Sequence, residues 1–379
     1  MQRNFFKIYY MRKFIFFSFA FIIFLNASSQ NIWPAAKAKT WYAAQGWPVG
    51  ANFLPSTAIN QLEMWQADTF DTATISKELG WAQSLGMNTM RVFLHDLAYQ
   101  QDSAGFLQRI NTFLQIASRH KIKPLLVFFD SVWDPNPVAG KQRDPKPFLH
   151  NSGWVQSPGA IALSNDSSHP RLEKYVKDVV RYFKNDTRIW GWDVWNEPDN
   201  MNGGEYNKQE PRNKLYNVLI LLQKTFDWAR SQKPVQPLTS GVWWGNWSHA
   251  DSLKPIWKVQ LNNSDIISFH NYDSASEFVT RIKWLQRYNR PIICTEYMAR
   301  GNSSFFKPTL GIAKTYKVGM YNWGFVDGKS QTIYPWNSWD KQYTAEPDLW
   351  FHDIFRRDGT AYKPEEVEYI KMVTGKKSK

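Results

Sequence analysis

Short apolar runs alternate with longer stretches of helical periodicity along most of the chain, the pattern of repeated strand–helix units. Strands are predicted at 46–52, 88–93, 123–129, 189–195, 238–242, 265–269, 291–295 and 319–324. The run KPLLVFF, Lys123 to Phe129, is apolar almost throughout, as a strand covered on both faces requires. Helices are predicted at 71–85, 106–119, 171–183, 215–230, 276–288 and 310–317, with a last one at 364–373 packing against the array. The array reaches eight strands without a second apolar domain or an internal linker. The expected fold is therefore α/β, a single (β/α)8 barrel over 30–375, followed by a frayed basic tail at 376–379. Long loops after the first, third and eighth strands put the elaboration at the C-terminal face of the barrel, where such folds assemble their chemistry.

The first residues read differently. Phe14 to Leu25 is an apolar stretch behind Met11-Arg12-Lys13, and Ala27-Ser28-Ser29 offers small residues for cleavage before Gln30. This is the layout of a signal peptide at 1–29, with a true start at Met11, and it predicts export to the periplasm or the medium. The apolar run is shorter than the ~20 residues a membrane span prefers, so no span is expected after cleavage. Without residues 1–29 the formal net charge falls from +13 to +9.

That basic balance changes little. Lys and Arg are scattered, with no long run and no nucleic-acid motif, so a solvated surface is expected rather than a nucleic-acid partner. The one cysteine, Cys294, excludes an internal disulfide and sits in an apolar run, which predicts a buried side chain. Histidines are dispersed, with no HExxH pattern and no phosphate-cradling glycine loop, so neither a metal nor a cofactor is expected. Oligomeric state is left open.

Two acidic residues do change the picture. Glu197 lies in RIWGWDVWNEPDN and Glu296 in RPIICTEYMAR, each at the carboxyl end of a predicted strand. These are the fourth and seventh strands, which face one another across a barrel of eight. Two carboxylates on one cleft can divide the work on a glycosidic bond between a proton donor and a nucleophile. Pro198 is expected to end the strand and hold Glu197 in extended geometry.

The chain resembles the clan A glycoside hydrolases, and most closely the cellulase-like family 5. The resemblance rests on Arg91 in TMRVFLH, Asn196-Glu197-Pro198 in WNEP, His270 and Tyr272 in FHNY, Glu296 in CTEY, and Trp323 in YNWGF. It spans nearly the whole barrel in the family's order. It implies Glu197 as acid/base and Glu296 as nucleophile of a retaining double displacement on a β-linked polysaccharide or oligosaccharide. Arg91 and Tyr272 are then expected on Glu296, Asn196 on the neighbouring sugar hydroxyl, His270 on the acid or the sugar, and Trp323 under the reacting ring. The chain departs from the family's frequent histidine after the third strand, reading FFDSVWD from Phe128 to Asp134. Asp130 and Trp133 are candidates for that space, and His95, followed by Asp96, for part of it.

Aromatic residues favour carbohydrate as the ligand class, because flat rings cover the apolar faces of sugars. The chain has 20 tryptophans, of which Trp243, Trp244, Trp247, Trp336 and Trp339 fall in predicted loops. Trp243 is a candidate binding residue. Glu63 and Trp65, in the loop after the first strand, are weaker candidates whose helical spacing also permits a structural role. A non-catalytic carbohydrate-binding barrel and a transglycosylase are the alternatives to hydrolysis. Sugar, linkage, and endo or exo action are not readable from these residues.

Overall fold

The computed structural model describes residues 32–376; the expected signal segment at 1–29 and residues 377–379 of the expected tail lie outside the described residues. Eight strands run parallel: β1 (Val49–Asn52), β2 (Thr89–Phe93), β3 (Lys123–Asp130), β4 (Gly191–Asn196), β5 (Leu238–Thr239), β6 (Ile267–Asn271), β7 (Ile292–Tyr297) and β8 (Gly319–Asn322). Ladders join them in the order β5-β4-β3-β2-β1-β8-β7-β6. The remaining gap is closed beyond β5, where Val242 pairs with Phe269: its N–H donates to the Ser268 carbonyl and its own carbonyl accepts from His270 N–H. The result is the expected (β/α)8 barrel.

Both faces of the strands are covered. On β3, Leu125 and Val127 belong to clusters inside the barrel, whereas Leu126 and Phe128 join the core under the helices. The helix Ser103–Arg119 shows why that outer core forms. Asp102 caps it by accepting from Gly105 N–H, and Phe106, Ile110, Phe113, Leu114 and Ala117 recur on the face that is buried. Space between β1 and β2 is so tight that a Cβ on Gly50 would lie 1.8 Å from the Thr89 carbonyl oxygen. Only glycine fits there.

The N-terminal helix Ala35–Ala44 was not evident from the sequence pattern. Its Tyr42 packs with Leu125, Trp190, Ile266, Ile293 and Tyr321, plugging the bottom of the barrel. Five more helices fall where none was predicted: Gln61–Trp65, Asp96–Gln101, Ala160–Ser164, Gly204–Gln209 and Pro255–Asn263. At the other end of the chain, Pro364–Thr374 is helical as expected and ends at Gly375 with φ 77°, and Lys376 N–H still bonds to the Lys371 carbonyl.

Two strand boundaries matter for the site. β6 begins two residues later than predicted because Asp265 serves instead as an acceptor for Trp33 N–H, Leu238 N–H and the Arg230 guanidinium. β7 runs on to Tyr297, and its register against β6 shifts between Phe269↔Cys294 and His270↔Glu296. The extra residue, Thr295, is a bulge of the kind that re-aims side chains. It sets Glu296 beside His270.

Candidate active site

Arg91, on β2, is the hub. Its side chain is wholly buried, and its Nη1 donates to Glu296 Oε1 at 2.9 Å and to Asn52 Oδ1 at 3.0 Å. Nη2 donates to Asn196 Oδ1 at 2.7 Å, and Nε to Asp193 Oδ2 at 3.0 Å. Asp193 and Glu296 both face this cation, so its charge is neutralised inside the barrel. The planar guanidinium therefore holds two carboxylates and two amides in a single arrangement.

Glu296 also accepts from the Tyr272 hydroxyl, Oη to Oε2, at 2.8 Å. Burial pushes its carboxyl above the ordinary range, opposed by His270, Arg91 and the tyrosine hydroxyl. Glu197 sits one residue past β4. Its Oε2 accepts from Asn200 Nδ2 at 2.7 Å, and its Oε1 lies 2.9 Å from His270 Nδ1. Burial pushes the Glu197 carboxyl up to about 7, with the nearby Asp199 charge adding to the shift and the Asn200 bond opposing it. Burial also lowers His270 to about 4, so its imidazole is neutral at pH 7.

Ligand atoms of Glu197, His270 and Glu296 all lie within 4.8 Å of one another. A divalent cation tolerates such a spacing, but here Arg91 already supplies the positive charge next to Glu296. Two carboxylates this close, one held near a pKa of 7 and one bonded to a cation, are suited to opposite protonation states.

The expectation that Pro198 keeps Glu197 extended is wrong. Glu197 has φ 43°, in the left-handed region that non-glycine residues seldom occupy. The backbone turns there, with Asn200 N–H bonding back to the Glu197 carbonyl at 2.9 Å. That turn aims the carboxylate at His270 and Asn200, and backbone of this kind concentrates at functional sites.

Around the carboxylates lies a cleft of about 850 Å³ whose walls include Trp133, His150, Trp154, Asn200, Trp243, Tyr272, Trp323 and Trp336. Asn196 lines it too. Its amide orientation is set because Oδ1 accepts from Arg91 and Nδ2 donates to Asp130 at 2.9 Å, which leaves one N–H for a ligand. Tyr272 meets Trp336 edge-on at 5.0 Å.

The fold is shared with solved glycoside hydrolase structures. A GH5_18 protein of Streptomyces cattleya in complex with Manβ1-4GlcNAc superposes with a TM-score of 0.60 at 12% identity, over 86% of this chain and 80% of that one. The exo-β-1,4-mannosidase Op5Man5 from Opitutaceae bacterium strain TAV5 gives 0.58 at 18% identity, over 86% and 59%. An endo-1,4-β-D-mannanase from Thermotoga petrophila RKU-1 gives 0.54 at 13%, over 86% and 99%. What these structures share with the chain is the (β/α)8 barrel fold. No protein-family model and no curated protein matches the sequence.

On this barrel the expected site residues Arg91, Asn196, Glu197, His270, Tyr272, Glu296 and Trp323 converge at one mouth, and Trp133 and Trp243 join them in the cleft wall. Four weaker candidates do not reach the cleft. Trp65 is fully buried, donates to the Phe93 carbonyl at 2.7 Å and stacks on Phe70, so it is core. Glu63 accepts from Ile59 N–H at 2.6 Å and pairs with Lys329 at 2.6 Å, roles that fasten loops. His95 is buried, with Nδ1 accepting from Leu97 N–H and Nε2 3.1 Å from the Gln156 carbonyl oxygen; it caps a helix. Asp130 lies beneath the site, accepting from Asn196 and, at 2.6 Å, from Trp154 Nε1. It positions two cleft residues rather than binding a ligand itself.

Asp199, Asn200, His150 and Trp154 escaped the sequence reading. Asp199 is nearly buried and accepts three indole N–H groups, from Trp243 at 2.7 Å, Trp244 at 2.8 Å and Trp257 at 2.9 Å. The signal for Asp199 and Asn200 was there, an Asp-Asn pair directly behind the strand-ending Glu-Pro. Trp154 and His150 belong to the long loop after β3, where no periodicity marks a residue. Cys294 is buried as expected, its thiol pushed up by burial.

Proposed function

We propose that the protein is a retaining β-glycoside hydrolase of clan A, most similar to family 5, acting on a glucan, mannan or xylan type of chain or its oligosaccharides. The observation that carries this reading is the pair Glu197 and Glu296, with oxygens within 4.8 Å and unlike environments. Separations of ~5 to 5.5 Å between such groups go with direct attack by one of them, whereas a water-mediated inversion needs ~6.5 to 9.5 Å. Glu296, bonded to Arg91 and Tyr272, attacks the anomeric carbon while Glu197 gives its proton to the departing glycosidic oxygen. The C–O bond of the substrate breaks, an ester to Glu296 forms, and the leaving sugar departs as an alcohol. Glu197, now ionised, takes a proton from water as that water attacks the anomeric carbon and breaks its bond to the Glu296 oxygen. The free sugar leaves with its configuration retained, and Glu197 is again protonated. Asn196 offers its remaining N–H to the adjacent hydroxyl, a bond that strengthens as charge develops.

The test is hydrolysis of aryl β-glycosides and of β-glucan, β-mannan and xylan oligosaccharides, with product configuration read by NMR. Glu197→Gln is expected to lower kcat by about 10²- to 10⁴-fold on unactivated glycosides, and Glu296→Ala to abolish turnover. Near-normal rates in both variants would rule the mechanism out. Mannosyl substrates come first in the panel, since the structures that share the fold include proteins named for them. Export is part of the proposal, supported by the apolar segment Phe14 to Leu25 behind Met11-Arg12-Lys13. Mass spectrometry of the exported protein is expected to find Gln30 at its N-terminus.

A further inference from the structure

The loops that leave β3 and β8 meet above the ends of β1 and β2 and are bonded into one wall. Phe148 N–H donates to Gln331 Oε1 at 2.8 Å, and the Gln331 amide donates back to the Lys146 and Leu149 carbonyls at 2.7 and 3.2 Å. Asn151 N–H donates to the Ser330 carbonyl at 2.9 Å, and His150 N–H to Ser338 Oγ at 3.0 Å. Trp339 lies flat against Trp133, ring centroids 5.0 Å apart, and its indole N–H donates to the His150 carbonyl at 3.0 Å. The loop after β1 fills the space beneath. The Asn60 and Gln61 amides donate to the Gly153 and Val155 carbonyls at 2.8 Å each, and Glu63 is tied to Lys329 at 2.6 Å.

The inner face of this wall is made by Trp154 and Trp323, edge to face at 5.6 Å, with Phe93 braced against both. The same two rings also border a small hollow lined by Asn52, Phe53, Thr332 and Asp353. Residues 151–160 are buried throughout. The opposite side of the cleft is different: past Glu197, Gly203 to Glu205 and Trp244 to Asn246 are exposed.

Resting on the glycosidase reading above, this asymmetry gives the cleft a direction. The departing sugar leaves on the side of its proton donor. Glu197 follows β4, so the departing portion lies toward the exposed loops after β4 and β5, with Trp243 as its platform. The sugar bound to Glu296 then lies against Trp154 and Trp323. We propose that the cleft is closed beyond that single sugar, so that the protein removes one residue at a time from the non-reducing end of a β-linked oligosaccharide and does not cut within a chain.

The experiment uses hexasaccharides labelled at the reducing end, and the same compounds with the hydroxyls of the non-reducing sugar tied up as a ketal. The expected result is labelled product shortened by one residue, an equal amount of monosaccharide, and no cleavage of the ketal-blocked substrate. Early mid-chain fragments, disaccharide release, or cleavage of the blocked substrate would overturn the inference. Gln331→Ala removes three of the bonds between the loops and is expected to introduce mid-chain products. An unchanged pattern in that variant would overturn the wall as the cause. Mid-chain products that vanish in Glu296→Ala sink the exo inference alone. Absence of hydrolysis of every substrate, aryl glycosides included, removes the glycosidase reading and this inference with it.

Discussion

Glu197 carries two predictions at the scale of single residues. Burial pushes its carboxyl up to about 7, and in the proposed mechanism it donates its proton in the first step, so kcat/KM is expected to fall as pH rises through about 7. That alkaline limb disappears in Glu197→Gln assayed with an aryl glycoside whose leaving group needs no proton. The second prediction concerns stability. The folded pKa is raised above the ordinary 4.5, so between these values the folded state holds a proton that the unfolded chain has lost. Stability contributed at low pH is therefore lost as pH climbs from about 4.5 to 7. Glu197→Gln cannot lose that proton, and is expected to be more stable than the parent by about 3 kcal/mol at pH 8. Thermal melts should show the gap closing near pH 4.5. Asp199 sits behind this group. Asp199→Asn removes a negative charge that raises the acid's pKa and leaves fewer acceptors for three indoles. The alkaline limb is expected to move to lower pH, and KM for oligosaccharides to rise more than KM for aryl glycosides as Trp243 loosens. A merely structural role would leave the limb where it is.

Among the elements, the short helix Gln61–Trp65 is the one whose role the structure reverses. Asn60 accepts from Glu63 N–H and Glu63 accepts from Ile59 N–H, so a reciprocal cap holds the turn that drives Trp65 into the core beside Phe70, Phe106 and Phe113. Trp65→Ala is expected to cost about 3–5 kcal/mol of stability while leaving KM unchanged below the new melting temperature. A raised KM with normal melting would instead restore Trp65 as a binding residue. The β7 bulge acts the other way, on function. Without the register shift at Thr295, Glu296 would lose its place beside His270.

For the molecule as a whole, the barrel is closed at the bottom by structure and walled at one side of the top by loops. The helix Ala35–Ala44 covers Leu125, Trp190, Ile293 and Tyr321, and Tyr42 Oη donates to the Lys317 carbonyl at 2.9 Å. Uncovering side chains of this size costs about 1.5–3 kcal/mol each. Deletion of 32–44 is thus expected to lower the melting temperature sharply, although the site at the opposite end is untouched. Any folded fraction should keep its KM. Among the described residues no helix is long and apolar enough to cross a membrane.

The sequence by itself determined the barrel and its two carboxylates, because both follow from local rules. Apolar runs of strand length, such as Lys123 to Phe129, have to be covered on both faces, and helices such as Ser103–Arg119 carry their buried stripe at helical spacing. Glu197 and Glu296 were legible because each ends such a run. The N-terminal plug was not, since Ala35–Ala44 is half alanine with no apolar face to read. Only the tertiary structure decided how the site is assembled. It decided that Glu197 leaves the extended region, that a bulge turns Glu296 toward His270, and that Asp130 and His95 hold neighbours in place. It also decided that loops from β1, β3 and β8 join into a wall. The physical reason is that these features depend on hydrogen bonds between residues far apart in the chain, such as Arg91 to Glu296 or Lys329 to Glu63, which no local pattern of apolar and polar positions encodes.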